Sequence, residues 1–208
     1  MAKLIYVESS PRKSRSHSIK IARIFLDAYA KVNPNDEIQT IDLWSKNLPA
    51  FNEEKINGKY SLMHGQNMSK SEQEAWKEIE SIFNEFNDAD KYVFSVPMWN
   101  FGVPYTLKHY IDVITQPGLA WIFSPDDGFK GLVEGKALAI YATGGSYAAG
   151  SESEAFDLQK PSFEGWLGFI GLTDVSRLVM APTLATPEDL ASQEAVLTQD
   201  AERLAETF

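Results

Sequence analysis

The chain contains no cysteine. That excludes structural disulfides, a thiol nucleophile, thiolate redox chemistry and iron–sulfur ligation. Histidine is also scarce: there are three, His17, His64 and His109, and none stands in an HExxH spacing, so no metal site is expected. Neither GxxxxGK[ST] nor GxGxxG occurs, so there is no nucleotide-triphosphate cradle and no dinucleotide fingerprint. Positive charge is in deficit, with 19 Lys and Arg against 29 Asp and Glu and a formal net charge of −10. A nucleic-acid binder needs a basic face to displace counterions, and the one basic cluster, Arg12-Lys13-Ser14-Arg15, is local. No apolar run approaches the roughly 18 residues of a membrane span. The opening Met1 to Glu8 is too short and polar-flanked for a signal peptide, so a cytoplasmic location is expected.

What remains is an ordinary globular composition, 44% hydrophobic and 23% charged, in 208 residues. With no repeat, low-complexity tract or linker, residues 1–208 are expected to form one domain. Leu4–Val7, Asp90–Val96 with its apolar Tyr92-Val93-Phe94, Lys136–Tyr141 and Thr173–Met180, with an alternating Glu37–Leu43, read as five strands. Between them, Ile19–Val32, Ser71–Phe86, Pro104–Thr115 and part of Ala155–Phe169 show helical spacing, and Pro187–Glu206 closes the chain with Thr186 as cap. Ser71 and Glu74 stand in capping-box spacing, and Pro104 suits a first helical turn. Leu48–Met68 is irregular, a long loop or a weakly helical excursion. Ala120–Ser124 followed by Pro125-Asp126-Asp127-Gly128 reads as an inserted strand running into a tight turn. Strands alternating with helices predict an α/β three-layer sandwich: a five-stranded parallel sheet with helices on both faces.

Three loops fall at the carboxyl ends of predicted strands, where open α/β sheets bind ligands. The first runs from Glu8 to Ser18. It offers the hydroxyls of Ser10, Ser16 and Ser18, His17, the cations Arg12, Lys13 and Arg15, and a helix N-terminus whose free N–H groups suit a phosphate. A plain helix cap is the competing account of the same residues. The second is Pro97-Met98-Trp99-Asn100-Phe101-Gly102-Val103-Pro104, expected to be stiffened by its prolines. The third is Thr143-Gly144-Gly145-Ser146, whose glycines allow close backbone approach. A phosphate loop, a stiff aromatic loop and a Gly-Gly loop on one sheet edge together describe a site for a mononucleotide with a large flat base.

The chain resembles the FMN-dependent NAD(P)H azoreductases and quinone reductases of the flavodoxin-like superfamily. The resemblance rests on Ser10…Ser16-His17-Ser18, Pro97-Met98-Trp99-Asn100-Phe101, Leu107-Lys108-His109-Tyr110-Ile111-Asp112, Gly131-Leu132-Val133-Glu134-Gly135-Lys136 and Leu167 to Val175, in family order over nearly the whole length. It implies a flavodoxin-like fold with Ser10, Ser16, His17 and Ser18 around the FMN phosphate. Pro97, Met98, Trp99, Asn100 and Phe101 would lie along the ribityl and isoalloxazine, and Thr143, Gly144, Gly145 and Ser146 would close around the ring. It further implies hydride transfer from NADH or NADPH to flavin N5, then two-electron reduction of a quinone or aromatic azo compound in ping-pong order. A homodimer is implied too, with Trp121, Phe123 and Phe163 walling the substrate pocket. The chemistry would reside on the cofactor, with no catalytic side chain. A flavodoxin-like electron-transfer protein is the alternative. Its phosphate loop is usually richer in Thr and Gly, and the inserted aromatic strand argues for a substrate pocket.

Overall fold

The computed structural model describes residues 1–208. Five parallel strands form the sheet: β1 (Lys3–Glu8), β2 (Glu37–Asp42), β3 (Lys91–Pro97), β6 (Lys136–Ala142) and β7 (Asp174–Met180), in the order β2-β1-β3-β6-β7. The inner strands β1, β3 and β6 are buried along almost their whole length, while β2 and β7 are half-exposed. Continuous apolar runs in the first group and alternation in Glu37–Asp42 reflect that difference. Helices α1 (His17–Val32) and α6 (Pro187–Ala205) cover one face through Ile21, Phe25, Tyr29, Leu197 and Ala201. Helices α3 (Lys70–Asn87), α4 (Tyr105–Ile114) and α5 (Gln159–Ile170) cover the other, with Trp76, Phe83, Leu107, Tyr110, Phe163 and Leu167 in the core. This is the expected sandwich. Because α1 and α4 leave β1 and β3 toward opposite faces, the sheet's crevice opens between those two strands.

Several local features differ from the sequence reading. The irregular region holds a helix, α2 (Glu53–Met63), capped by Asn52 Oδ1 accepting from Lys55 N–H at 3.3 Å. Its buried residues are Lys55 and Gly58, so it shows no apolar stripe. The capping box of α3 is Ser69 with Glu72, not Ser71 with Glu74. Both pairs have the right spacing, and the earlier one gives the longer helix. The inserted strand β4 (Trp121–Ser124) pairs antiparallel with β5 (Gly128–Gly131) in a hairpin outside the main sheet. No helix is long and apolar enough to cross a membrane.

Candidate functional site

The first loop meets α1 in an unusual way for a Ser-rich start. Ser16 occupies the N-cap, yet its hydroxyl does not cap the helix; it pairs with Ser18 Oγ at 3.2 Å. The N–H groups of His17, Ser18 and Ile19 donate to no protein acceptor. By contrast α2, α3 and α6 each have a side-chain cap, from Asn52, Ser69 and Thr186. Ser10, Ser16 and Ser18 are all buried. The helix-cap account of this loop therefore fails, and a set of buried donors remains at the positive end of a 16-residue helix.

Not every cation of the loop serves it. Lys13, at φ +48°, turns back over the sheet edge to pair with Glu8 at 2.7 Å and Asp42 at 2.5 Å. Burial alone would lower the Lys13 ammonium, but its bonds to Asp42 and Glu8 outweigh that and raise it. Burial likewise pushes Asp42 up, and Lys13, Ser45 and the Trp44 N–H together pull it below the ordinary carboxylate range. Arg12 stays with the serines. A crevice of about 130 Å³ is lined by Ser10, Arg12, Ser16 and His17 from the first loop, Pro97, Met98 and Trp99 from the second, and Ala142, Gly144 and Thr183. The structure thus brings members of all three predicted loops to one point. Burial, then the nearby charges of Arg12 and Lys20, hold the His17 imidazole below its ordinary value, while Glu194 pulls weakly the other way.

The second loop owes its shape to a turn rather than to its prolines. Trp99 and Gly102 exchange both backbone hydrogen bonds, at 2.9 and 3.0 Å, and between them Asn100 has φ +47° and Phe101 φ +70°. Two successive positive φ values make a type I′ turn. For a non-glycine residue this conformation costs about 1–2 kcal/mol. The Phe101 carbonyl accepts from Leu158 N–H at 3.1 Å and its ring packs on Phe156 with centroids 5.6 Å apart, contacts that hold the turn in place. In the third loop the Thr143 hydroxyl donates to the Gly145 carbonyl at 2.7 Å. The segment after β7 supports it, with Thr183 N–H on the Thr143 carbonyl and Leu184 N–H on that of Gly144. The N–H groups of Asn100, Gly144 and Gly145 have no protein acceptor.

Trp99 also borders a second, larger cleft of about 960 Å³, walled by Phe51, Tyr105, Trp121 and Phe169 among others, with Lys59 and His109 on its rim. The His109 Nε2–H donates to the Pro49 carbonyl at 2.8 Å. Of the three expected pocket aromatics, only Trp121 lines this cleft. Phe163 is 1% exposed and packs edge-on against Phe94 and Tyr141, so it is a core residue. Phe123 is 56% exposed on the hairpin, against Phe129. Thr143 and Ser146 face a separate cavity of about 490 Å³ with Tyr147, Lys160 and Arg177. Thr183 and Trp44 were not singled out from sequence; neither belongs to a motif, and only the fold carries them to the strand ends.

This topology, with its loops gathered at the β1/β3 switch point, defines a flavodoxin-like α/β protein. The family model described as the flavodoxin-like fold matches residues 2–207, and the chain belongs to that family. Within it the chain groups with the FMN-dependent NADH:quinone oxidoreductases and azoreductases. It is 45% identical over 198 residues to the FMN-dependent NADH:quinone oxidoreductase of Desulfotalea psychrophila (strain LSv54 / DSM 12343), covering 95% of this chain and 92% of that one. It is 40% identical to the protein of the same name from Nitratidesulfovibrio vulgaris (strain DP4), with full coverage of both. Among solved structures, an azoreductase from Bacillus anthracis str. Sterne superposes with a TM-score of 0.90 at 27% identity over the full length of both chains.

Proposed function

We propose that the 208 residues act as one FMN-binding domain of an NAD(P)H-dependent oxidoreductase that reduces quinones and cleaves aromatic azo compounds. One observation carries this reading: the buried first turn of α1 has donors but no cap, and it opens into the crevice shared by Ser10, Arg12, His17 and the Pro97–Trp99 segment. That donor set fits a phosphate monoester. Bound there, FMN supplies hydride acceptance from NADH or NADPH and two-electron delivery to an acceptor.

The protein's share is binding, orientation and exclusion of water. Ser10, Ser16 and Ser18, the first-turn N–H groups and Arg12 hold the phosphate, with His17 beside it. Pro97, Met98, Trp99, Asn100 and Phe101 run along the ribityl chain and ring. The unpaired N–H groups of Gly144 and Gly145 in the third loop and of Asn100 in the second would hold the flavin ring, as donors suited to the negative charge of its reduced form. Thr143 and Ser146 complete the third loop. The aromatic cleft beyond Trp99 receives nicotinamide and acceptor in turn, which gives ping-pong kinetics, and Trp121 forms its far wall. Full cleavage of an azo bond to two amines needs two such rounds. This reading needs no side chain as a general acid, because water can supply the protons.

The protein works as a homodimer in this account. The hairpin leaves Ile122, Phe123 and Phe129 exposed at 43%, 56% and 62%, next to Phe169, an apolar patch contiguous with the cleft. Replacing Phe123 and Phe129 together by Asp is expected to yield a monomer in sedimentation velocity. The test of the cofactor assignment is titration of flavin-free protein with FMN and with riboflavin. FMN is expected to bind at least about 100-fold tighter, two to three charge-assisted hydrogen bonds' worth. Equal affinities would leave the crevice without a phosphate.

A further inference from the structure

Trp44 lies two residues beyond β2 and touches all three chain segments that meet at the β1 end of the crevice. Its backbone N–H donates to Asp42 Oδ1 at 3.1 Å, the same oxygen that takes Lys13 Nζ. Its indole Nε1–H donates to the Ser9 carbonyl at 2.9 Å, one residue before Ser10. Ser9 is itself buried and donates through Oγ to the Ser95 carbonyl of β3 at 2.5 Å. On its other side the Trp44 ring meets Trp99, with centroids 5.8 Å apart and planes at 48°. Tyr105 closes the triangle, edge-on to Trp44 at 5.5 Å and 6.1 Å from Trp99.

Trp99 stands on the rim of both the crevice and the large cleft. Its backbone is fixed by the type I′ turn, but its ring orientation is set by whatever packs on it. Of its two aromatic neighbours, Tyr105 is 66% exposed, while Trp44 is tethered by a hydrogen bond to the first loop. A ring held by a hydrogen bond defines its neighbour's attitude better than an exposed ring without one. We propose that Trp44 is a positioning residue: it fixes the Trp99 indole relative to the phosphate loop and thereby sets how tightly the cleft takes its acceptor. This rests on the function proposed above and adds to it a residue that contacts no substrate.

The test uses full-length W44F, W44L, W99F and the W44F/W99F double variant, with two readouts. On flavin-free protein, the Trp44–Trp99 pair should give a far-UV exciton couplet in circular dichroism that W44F and W99F each abolish. On FMN-saturated protein, W44L should raise the quinone KM by about five-fold or more with kcat held within about two-fold, because ground-state positioning is what is lost. W44F, which keeps an aromatic ring but loses the bond to Ser9, should fall between. The double variant should be no worse than W99F alone, as expected when one residue acts through the other. If W44L does not fold, the W44F comparison and the double variant decide the matter. Absence of a couplet, a wild-type KM in W44F and W44L with loss of thermal stability only, or additive effects in the double variant would overturn the proposal. A wild-type protein that shows the couplet but neither takes up FMN nor reduces a quinone overturns the functional reading, and this role with it. An active wild type with an unaltered W44L removes this inference alone.

Discussion

The backbones at Gly131 and Gly171 cross so closely that a methyl group on Gly131 would lie 2.2 Å from the Gly171 nitrogen. Gly171 itself ends α5 at φ +115°, and its own added methyl would sit 2.4 Å from the Val133 carbonyl oxygen. This crossing pins the hairpin's return strand to the end of α5, and so fixes Trp121 and Phe169 as neighbours on the cleft wall. Gly131→Ala meets backbone, which cannot rotate away, and is expected to destabilise the protein by about 1–3 kcal/mol or more. Gly165→Ala, in the exposed interior of α5 with nothing within 4 Å, is expected to stabilise by about 0.5–1 kcal/mol. Urea melts of the two variants against wild type check both signs.

Removing Ser16 and Ser18 hydroxyls separates ligand binding from stability. Because Ser16 does not cap α1, the double Ala variant should lose little stability in the flavin-free state. Its FMN affinity should fall by about 10- to 100-fold, on the basis of two hydrogen bonds to a charged phosphate. Calorimetric titration alongside thermal melts tests this. A large loss of stability with unchanged affinity would return the loop to a capping role.

Asn100 occupies a left-handed position that Gly adopts freely and a β-branched residue does not. Asn100→Gly should keep the turn and the melting temperature, so any fall in flavin affinity reports the side chain itself. Asn100→Val should break the Trp99–Gly102 pairing, and both stability and flavin affinity should drop. Comparing the two by thermal melting and flavin titration isolates the turn from its side chain.

His17 gives a pH dependence whose sign follows from its surroundings. Burial first, then Arg12 and Lys20, keep its proton affinity low in the flavin-free fold, with Glu194 opposing. The folded state therefore binds fewer protons than the unfolded state just below the unfolded value of about 6.5, and stability declines as pH falls through that window. A phosphate placed beside His17 favours the imidazolium and reverses the effect. FMN binding near pH 6 should thus take up protons, and His17→Gln should remove that share and leave only the flavin phosphate's own titration. Calorimetry in buffers of differing ionisation enthalpy reads the proton count directly. An unchanged count in His17→Gln would show that the phosphate lies elsewhere.

The parts of this protein that follow regular periodicity were legible in its sequence. Leu4–Val7 and Tyr92–Phe94 announce inner strands because they are apolar on both faces, and the loops that follow them inevitably share one edge. Helix α2 was hidden because its buried positions are Lys55 and Gly58, which carry no hydrophobic signal. The return strand of the hairpin, Gly128-Phe129-Lys130-Gly131, gives no strand signal of its own because the glycines at its ends are there for conformation and close approach. Lys13 looked like a phosphate ligand until Glu8 and Asp42, distant from one another in sequence, converged on it. Phe163 and Trp121 are both buried aromatics of the core; which of them also borders the cleft depends on helix and hairpin packing that no local pattern encodes. The same holds for Trp44, whose contacts at Ser9 and Trp99 span 35 and 55 residues of chain.

The central claim is two-electron chemistry on a bound flavin, and the most direct measurement is the visible spectrum of FMN-loaded protein during anaerobic addition of NADH or NADPH. The account predicts that the oxidised flavin bands bleach in one step to the fully reduced form and return when a quinone or azo dye is added. A flavin that ignores both nicotinamides, yet passes through a stable semiquinone when a one-electron reductant is supplied, would contradict it and identify an electron carrier instead.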